Sequence, residues 1–306
     1  MSRPSANVRE LGRPGQRILG VMEFGDPNGL PALAFHGIPG TRLMFRVTDQ
    51  IAKSLGLRII AADRPGFGRS TPQPSRTLRD WLPEVEAILE AYEIDRFSLI
   101  GVSGGAPFAV ATAAAYGDRV QGMVLFGPVG PIHDLQNDIP LNRRERLIFL
   151  QAPPRGWLLR AGLIPMNTLF RIAPRLKYNL FLKLLPKPDA GIMKNAEIRT
   201  QVIDDVGESL KQGGEGMRSD MRIFSEPWNV NFDQIKARTV LWQGMIDNIV
   251  PVKAALRLGE LIPNCTVHKL PGAGHFWVYD HIERVLSTLK ELALDDGQAA
   301  PASEQE

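Results

Sequence analysis

The sequence predicts an α/β protein with a mostly parallel central sheet, helices on both faces and an inserted helical cap. Two observations predict it. Short, continuous apolar runs that end in glycine-rich or polar turns alternate with amphipathic helical patterns over most of the chain, as strands buried on both faces and the helices covering them should. The alternation lapses between about Pro131 and Trp228, where amphipathic pieces punctuated by prolines replace it, and then resumes. A length of 306 residues, with 44% hydrophobic and 23% charged residues, suits one large soluble domain carrying an insertion.

Taken in order, the strand runs are Ile18–Phe24, Ala32–Phe35, Leu57–Ala62, Phe97–Val102, Met123–Phe126, Thr239–Trp242 and Thr266–Leu270. Each is a short apolar block closed by turn residues. Helical spacing fills the gaps: Arg42–Leu55 places Leu43, Val47, Ile51 and Leu55 on one stripe, and Trp81–Tyr92 does so with Val85, Ile88, Leu89 and Tyr92. An alanine-rich helix runs from Phe108 to Tyr116, and Ala254–Leu261 and Ile282–Leu294 close the chain in the same way. Within the lapse the helical pieces are Leu147–Leu150, Trp157–Leu163 and Leu180–Leu185. The expected division is therefore a core of residues 1–130 and 229–294, a helical cap of residues 131–228, and a disordered tail over 295–306, whose Gly, Gln, Ala, Pro, Ser and Glu offer no core-forming pattern.

Charge separates the insertion from its surroundings. From Arg143 to Lys187 ten Lys/Arg face a single acid, Glu145, giving about +9 in a chain whose net charge is +3. That total is too small to imply a nucleic-acid partner. No apolar run reaches the roughly 18 residues of a membrane span, and Met1–Arg17 lacks the apolar stretch of a secretory signal. One cysteine, Cys265, excludes an internal disulfide. A cytoplasmic protein without membrane contact is the expectation, and the sequence sets no oligomeric state.

The chemistry centres on Gly101-Val-Ser103-Gly104-Gly105 at the end of an apolar run and the start of a helix. In that context Gly-x-Ser-x-Gly is a nucleophile elbow. The turn is so tight that Ser103 takes a strained backbone, and Gly101 and Gly105 must lack side chains to avoid collision. The strain exposes the hydroxyl beside the first free N–H groups of a helix. A serine hydroxyl needs a base. His275, in Pro271-Gly-Ala-Gly-His-Phe276 between the last strand and last helix, stands on the loop-bearing side of the sheet. His133, His268 and His281 have weaker claims, the last two lying in a strand run and at a helix start.

The base in turn needs a carboxylate to hold its tautomer. Asp247 follows the run Thr239–Trp242 in the same kind of loop; a helix cap is its alternative role, and Asp134 is a rival acid. His36-Gly-Ile38-Pro-Gly40 follows Ala32–Phe35, and its backbone can aim an N–H at developing negative charge. The amides of Ile38 and Gly104 are the candidate oxyanion donors, with His36 a buried scaffold residue. Asp63-Arg-Pro-Gly-Phe-Gly-Arg69-Ser70 lacks a phosphate-gripping Lys-Ser/Thr, so it reads as a scaffold turn in which Asp63 and Arg69 bond loop backbone.

Together, HGxPG at 36–40, DRPGFGRS at 63–70, GxSxG at 101–105, GxxDxxVP at 244–251 and GxGHF at 272–276 resemble the α/β-hydrolase family in the right order over about residues 17–294. Serine at 103 is similar to the esterase, lipase and peptidase branches and departs from the aspartate elbow of epoxide hydrolases and haloalkane dehalogenases. The resemblance also implies a cap after the sixth strand. The expectation is a carboxylesterase-like serine hydrolase working through Ser103, His275 and Asp247 with no metal or organic cofactor. Its partner would be a small ester with a hydrophobic acyl or alkyl group, an anionic tail being open to steering by the basic insertion. Alternatives on the same triad are a cofactor-free haloperoxidase, a lactonase or a C–C bond hydrolase; a non-catalytic ligand-binding protein is a further one. Aminopeptidase activity is disfavoured because no acidic cluster that would hold a free amine is evident in the insertion.

Overall fold

The computed structural model describes residues 8–154, 156–157, 168, 170 and 172–295. Its frame is an eight-stranded sheet: β1 (Arg9–Arg13), β2 (Arg17–Gly25), β3 (Leu30–Phe35), β4 (Leu57–Ala62), β5 (Phe97–Val102), β6 (Val120–Phe126), β7 (Arg238–Gly244) and β8 (Cys265–Leu270). The spatial order is β1-β2-β4-β3-β5-β6-β7-β8, with β2 antiparallel to both neighbours and every pair from β4 to β8 parallel. The strand–helix alternation read from the sequence is this sheet.

Period-two alternation along each strand supplies two cores. Leu33, Phe35, Leu99, Leu125 and Leu241 face one side, against α2 (Leu82–Ala91), α3 (Ala106–Tyr116) and a later helix, Val252–Leu261. Ala32, Ala34, Ile100, Val124 and Trp242 face the other, against α1 (Asp49–Leu55) and the last helix, Ile282–Leu294. Each fully buried Leu or Phe contributes roughly 1.5–3 kcal/mol. Helix α3 is buried along its first eight residues, which explains why its sequence is almost all apolar rather than striped.

One strand went unread, and one helix needs correction. Strand β1 was not legible: in Arg9-Glu-Leu-Gly-Arg13 only Leu11 is buried, and the strand holds the sheet edge through antiparallel pairing and an Arg13–Glu84 salt bridge to α2. Arg42–Leu55 is not one helix but a 3₁₀ segment, Arg42–Thr48, followed by α1. Thr41 accepts a hydrogen bond from Leu43 N and is itself tied elsewhere, so the first turn starts tight.

Between β6 and β7 the described chain is helical. After single turns at Ile132–Leu135 and Arg143–Arg146 and a π-type turn at Leu147–Gln151 come α4 (Pro174–Leu182), α5 (Lys187–Met193), α6 (Ala196–Ser209) and α7 (Glu215–Phe224). The later helices complete the series as α8 (Val252–Leu261) and α9 (Ile282–Leu294). Of the piece expected over Trp157–Leu163, residues 158–163 lie outside the described residues, as do 296–306 of the expected tail; Asp295 pairs with Arg238. Among the described residues no helix is long and apolar enough to cross a membrane.

Candidate active site

The parallel strands all end on one edge, so the loops after β3, β4, β5, β6, β7 and β8 gather there. Ser103, first residue after β5, has φ +52°, a left-handed backbone that costs a non-glycine residue about 1–3 kcal/mol. Its neighbours enforce it. A Cβ on Gly105 would sit 2.0 Å from Phe35 O, and one on Gly101 would sit 2.9 Å from Ala106 Cα. Ser103 O accepts from Val129 N at 3.1 Å, fixing the turn from the β6 side.

Asp247, after β7, and His275, after β8, form a pair: His275 Nδ1 is 2.7 Å from Asp247 Oδ2. Asp247 Oδ1 accepts from the amides of Ile249 and Val250 at 2.7 and 3.1 Å, and Gln243 reaches Oδ2 at 3.3 Å. Burial alone would raise the Asp247 pKa; the facing imidazole and the two backbone donors reverse this and hold it below the ordinary carboxylate value. Burial likewise pulls His275 down, but the Asp247 carboxylate, helped by Asp189, outweighs it and leaves His275 above its ordinary value. Gly127 is what lets the ring in: at φ +44°, a Cβ there would lie 2.9 Å from His275 Nδ1.

His275 and Ser103 line one cavity. Ser103 Oγ has no hydrogen-bond partner among the described residues, so the two side chains face the same space without a direct hydrogen bond, as resting hydrolytic sites often do before substrate closes them. Ile38 and Gly104 also meet here, since a Cβ on Gly104 would be 3.0 Å from Ile38 Cγ1. Gly104 is the second residue of a helical start, where N–H groups lack intrahelical acceptors.

A family model described as alpha/beta hydrolase fold matches residues 33–282. The chain belongs to the α/β-hydrolase fold family. Among curated relatives, this hydrolase-fold chain is 27% identical over 232 residues to a 2-hydroxy-6-oxo-6-phenylhexa-2,4-dienoate hydrolase of Burkholderia cepacia, a match covering 74% of each chain. Among solved structures it is similar to a bromoperoxidase from Bacillus anthracis (TM-score 0.71, 19% identity, 94% of this chain and 100% of the other). An esterase from Exiguobacterium antarcticum is also similar (TM-score 0.67, 17% identity, 93% and 98%).

The remaining histidines of this α/β-hydrolase, and the rival acid Asp134, do not line the cavity. His36 is fully buried: its Nε2 accepts from Arg64 N at 3.1 Å, so Nδ1 carries the proton and donates to Gly37 O at 2.8 Å. Burial, then the Arg64 cation, push its pKa well below the ordinary value, and it stays a neutral strut. Asp134 bonds His133 and Trp228 N, not His275. His268 stacks on Trp242, and His281 stacks on Trp277. Burial pushes the Cys265 thiol up to about 12, which removes it as a nucleophile near neutrality. Asp63 does bind loop backbone, accepting from Arg42 N and Arg69 N, but the Arg69 side chain reaches outward to Glu10 instead. Among the described residues no group of three or more His, Cys, Asp or Glu could hold a metal ion.

The cavity measures about 310 Å³. Gly37, Ile38, Ser103 and His275 line it together with the apolar side chains of Ile100, Phe126, Phe170, Phe181, Met193 and Leu286. Trp157 and Trp228, noted for the insertion, are not on it: the first is exposed and the second is buried elsewhere. The residues that sequence reasoning missed are acids of the inserted helices. Asp189 (α5) accepts from the amides of His275 and Phe276 at 2.8 and 3.1 Å, and a Cβ on Gly274 would strike its carboxylate. Asp205 (α6) accepts from Thr41 N at 2.8 Å and from its hydroxyl. Asp220 (α7) pairs with Arg64 and Arg76, and Arg64 in turn donates to the carbonyl of His36 at 2.5 Å. Two of them carried a signal: Gly216, Asp220 and Phe224 share a helical face, as do Ile198, Val202 and Asp205, so Asp220 and Asp205 sit in apolar stripes.

Proposed function

We propose that this chain is a serine hydrolase acting on carboxylic esters with a hydrophobic acyl or alkyl group. One observation carries the reading: the imidazole of a buried Asp247–His275 pair and a strained serine line a single apolar cavity. Ser103 Oγ attacks the scissile carbonyl and His275 Nε2 takes its proton, with Asp247 holding Nδ1–H and stabilising the imidazolium. The amides of Ile38 and Gly104 receive the oxyanion. His275 then protonates the departing alkoxide, and water repeats the cycle on the acyl-enzyme. On this reading residues 131–228 are the cap that roofs the cavity, supplying Phe170, Tyr178 and Phe181 to the acyl or alkyl group.

The test is covalent. A fluorophosphonate should label the protein at Ser103 with loss of nitrophenyl-ester turnover, and Ser103→Ala should take up no label and lose about 10⁴-fold or more in kcat. Full labelling of Ser103→Ala overturns the assignment.

A second reading, hydrolysis of a C–C bond, is favoured by the dienoate hydrolase relative, whose named substrate contains no ester. Lys177, which lines the cavity, is a candidate counter-ion for such a carboxylate. A panel of esters, lactones and vinylogous diketones, each with and without a carboxylate, separates the readings. Turnover confined to carboxylated diketones, lost in Lys177→Met, would replace the ester assignment.

A further inference from the structure

Asp205 is 4% exposed and lines the cavity. Its two oxygens are used unequally. Oδ1 accepts both hydrogen bonds from Thr41, whereas Oδ2 has no partner among the described residues. Oδ2 lies over the loop after β3: a Cβ on Gly40 would be 3.3 Å from it and 3.0 Å from Gly37 O, and a Cβ on Gly37 would be 3.3 Å from Ser103 Cβ. A carboxyl oxygen with no protein partner thus stands in an apolar cavity a few side-chain widths from the serine. That oxygen is open to a polar group of whatever occupies the cavity.

We infer that Asp205 forms a polar subsite for the substrate, donating a hydrogen bond from Oδ2 to an uncharged acceptor, a keto or ether oxygen carried on the hydrophobic group away from the scissile carbonyl. This rests on the hydrolase reading above and narrows its substrate class from plain hydrocarbon esters to oxygen-bearing ones. A donor role requires the neutral acid, and the surroundings favour it. Burial, and then the Asp63 carboxylate, push the Asp205 pKa up to about 8, against the opposing pull of Thr41 and Arg42. Arg42 is already paired with Asp63 and Glu208, and Arg46 with Asp204. From the other elements packed on α6 come Lys177 and Tyr178 of α4 and Asp189 of α5, the last bonded to the His275 loop. Across the cavity stand His275 and Tyr279, whose hydroxyl burial holds neutral.

The experiment compares kcat/KM for nitrophenyl pentanoate with a series bearing one keto oxygen at successive chain positions. One keto isomer should be preferred by about tenfold, the worth of one well-placed hydrogen bond in a dry site. The preference should fade toward unity between about pH 6.5 and 9.5, as the acid becomes an acceptor-only carboxylate. Asp205→Asn keeps Oδ1 for Thr41 and presents an N–H to the cavity, so it should retain the preference and lose its pH dependence. Asp205→Leu should abolish the preference, read as the ratio of keto to plain pentanoate so that any fall in absolute rate from the loss of the Thr41 bonds cancels. A flat series in the wild type overturns the subsite, as does a preference that survives in Asp205→Leu, or one for amino- or carboxylate-bearing chains.

Calorimetric binding of a medium-chain ketone against the hydrocarbon of equal length, in wild type and Asp205→Leu, needs no turnover. It keeps the two proposals apart. Failure of all ester cleavage with intact, Asp205-dependent ketone selectivity would sink the hydrolase reading alone, and equal binding of ketone and hydrocarbon would sink the subsite alone.

Discussion

The elbow side of the site and the side that faces it are put together by different means. Around Ser103 the geometry is set within a few residues and by strand register: Gly101 and Gly105 permit the turn, and β3 and β6 confine it. The outer surfaces of the site loops are instead held by acids that arrive from far along the chain. Asp189 binds the His275 amide across 86 positions, Asp220 binds Arg64 across 156, and Asp205 binds Thr41 across 164. Backbone sterics build the first half and need no charge. The second half relies on buried charges and polar groups whose partners lie far away in the sequence. The elbow should therefore tolerate almost no added volume, and the inserted helices almost no lost charge.

The strongest way to break this contrast is Asp220→Ala. It leaves Arg64 and Arg76 buried beside each other without their shared carboxylate, and should cost about 3–5 kcal/mol in urea or thermal unfolding. A loss below about 1 kcal/mol would mean the pair is solvated and the contrast false. Next comes Gly105→Ala, whose methyl would collide with Phe35 O; about 3 kcal/mol of destabilisation is expected by the same measurements, at the upper end of overpacking.

Asp189→Asn sharpens the comparison through chemistry. His275 must be neutral to act as base, so kcat/KM rises with pH through its pKa, which lies above the ordinary value with Asp247 and Asp189 nearby. Removing the Asp189 charge lowers that pKa, so the acidic limb of the pH–rate profile should move to lower pH, with about a tenfold fall in the plateau from the loosened loop. An unmoved limb would reduce Asp189 to a packing role. The smallest effect belongs to Arg69→Ala, which breaks an exposed pair with Glu10 and should change stability by no more than about 1 kcal/mol.

The same division decides what could be read before the fold was known. Strand–turn–helix punctuation and the glycines around Ser103 are local, so the sheet, the elbow and the loops bearing Asp247 and His275 were legible. Strand β1 was not, because an edge strand with one buried residue carries no apolar run. Nor was the 3₁₀ start at Arg42, which depends on Thr41 being pinned by Asp205 from α6. The acids of α6 and α7 stood in apolar stripes where an unusual residue could be noticed, but their partners Thr41 and Arg64, like the His275 amide that Asp189 of α5 binds, are identified only by tertiary packing. His36 shows the converse: its strut role was anticipated from its place after β3, while the proton on Nδ1 follows from the Arg64 amide that Nε2 accepts.

One consequence of the Arg64–Asp220 contact concerns engineering. Swapping residues 131–228 for the equivalent excursion of another hydrolase looks modular, since both ends leave the sheet between adjacent strands. Yet Arg64 would enter the chimera with its counter-charge deleted while still gripping the carbonyl of His36. A workable transplant must carry donor residues at positions 42, 64 and 76 along with the foreign helices, or neutralise those arginines first.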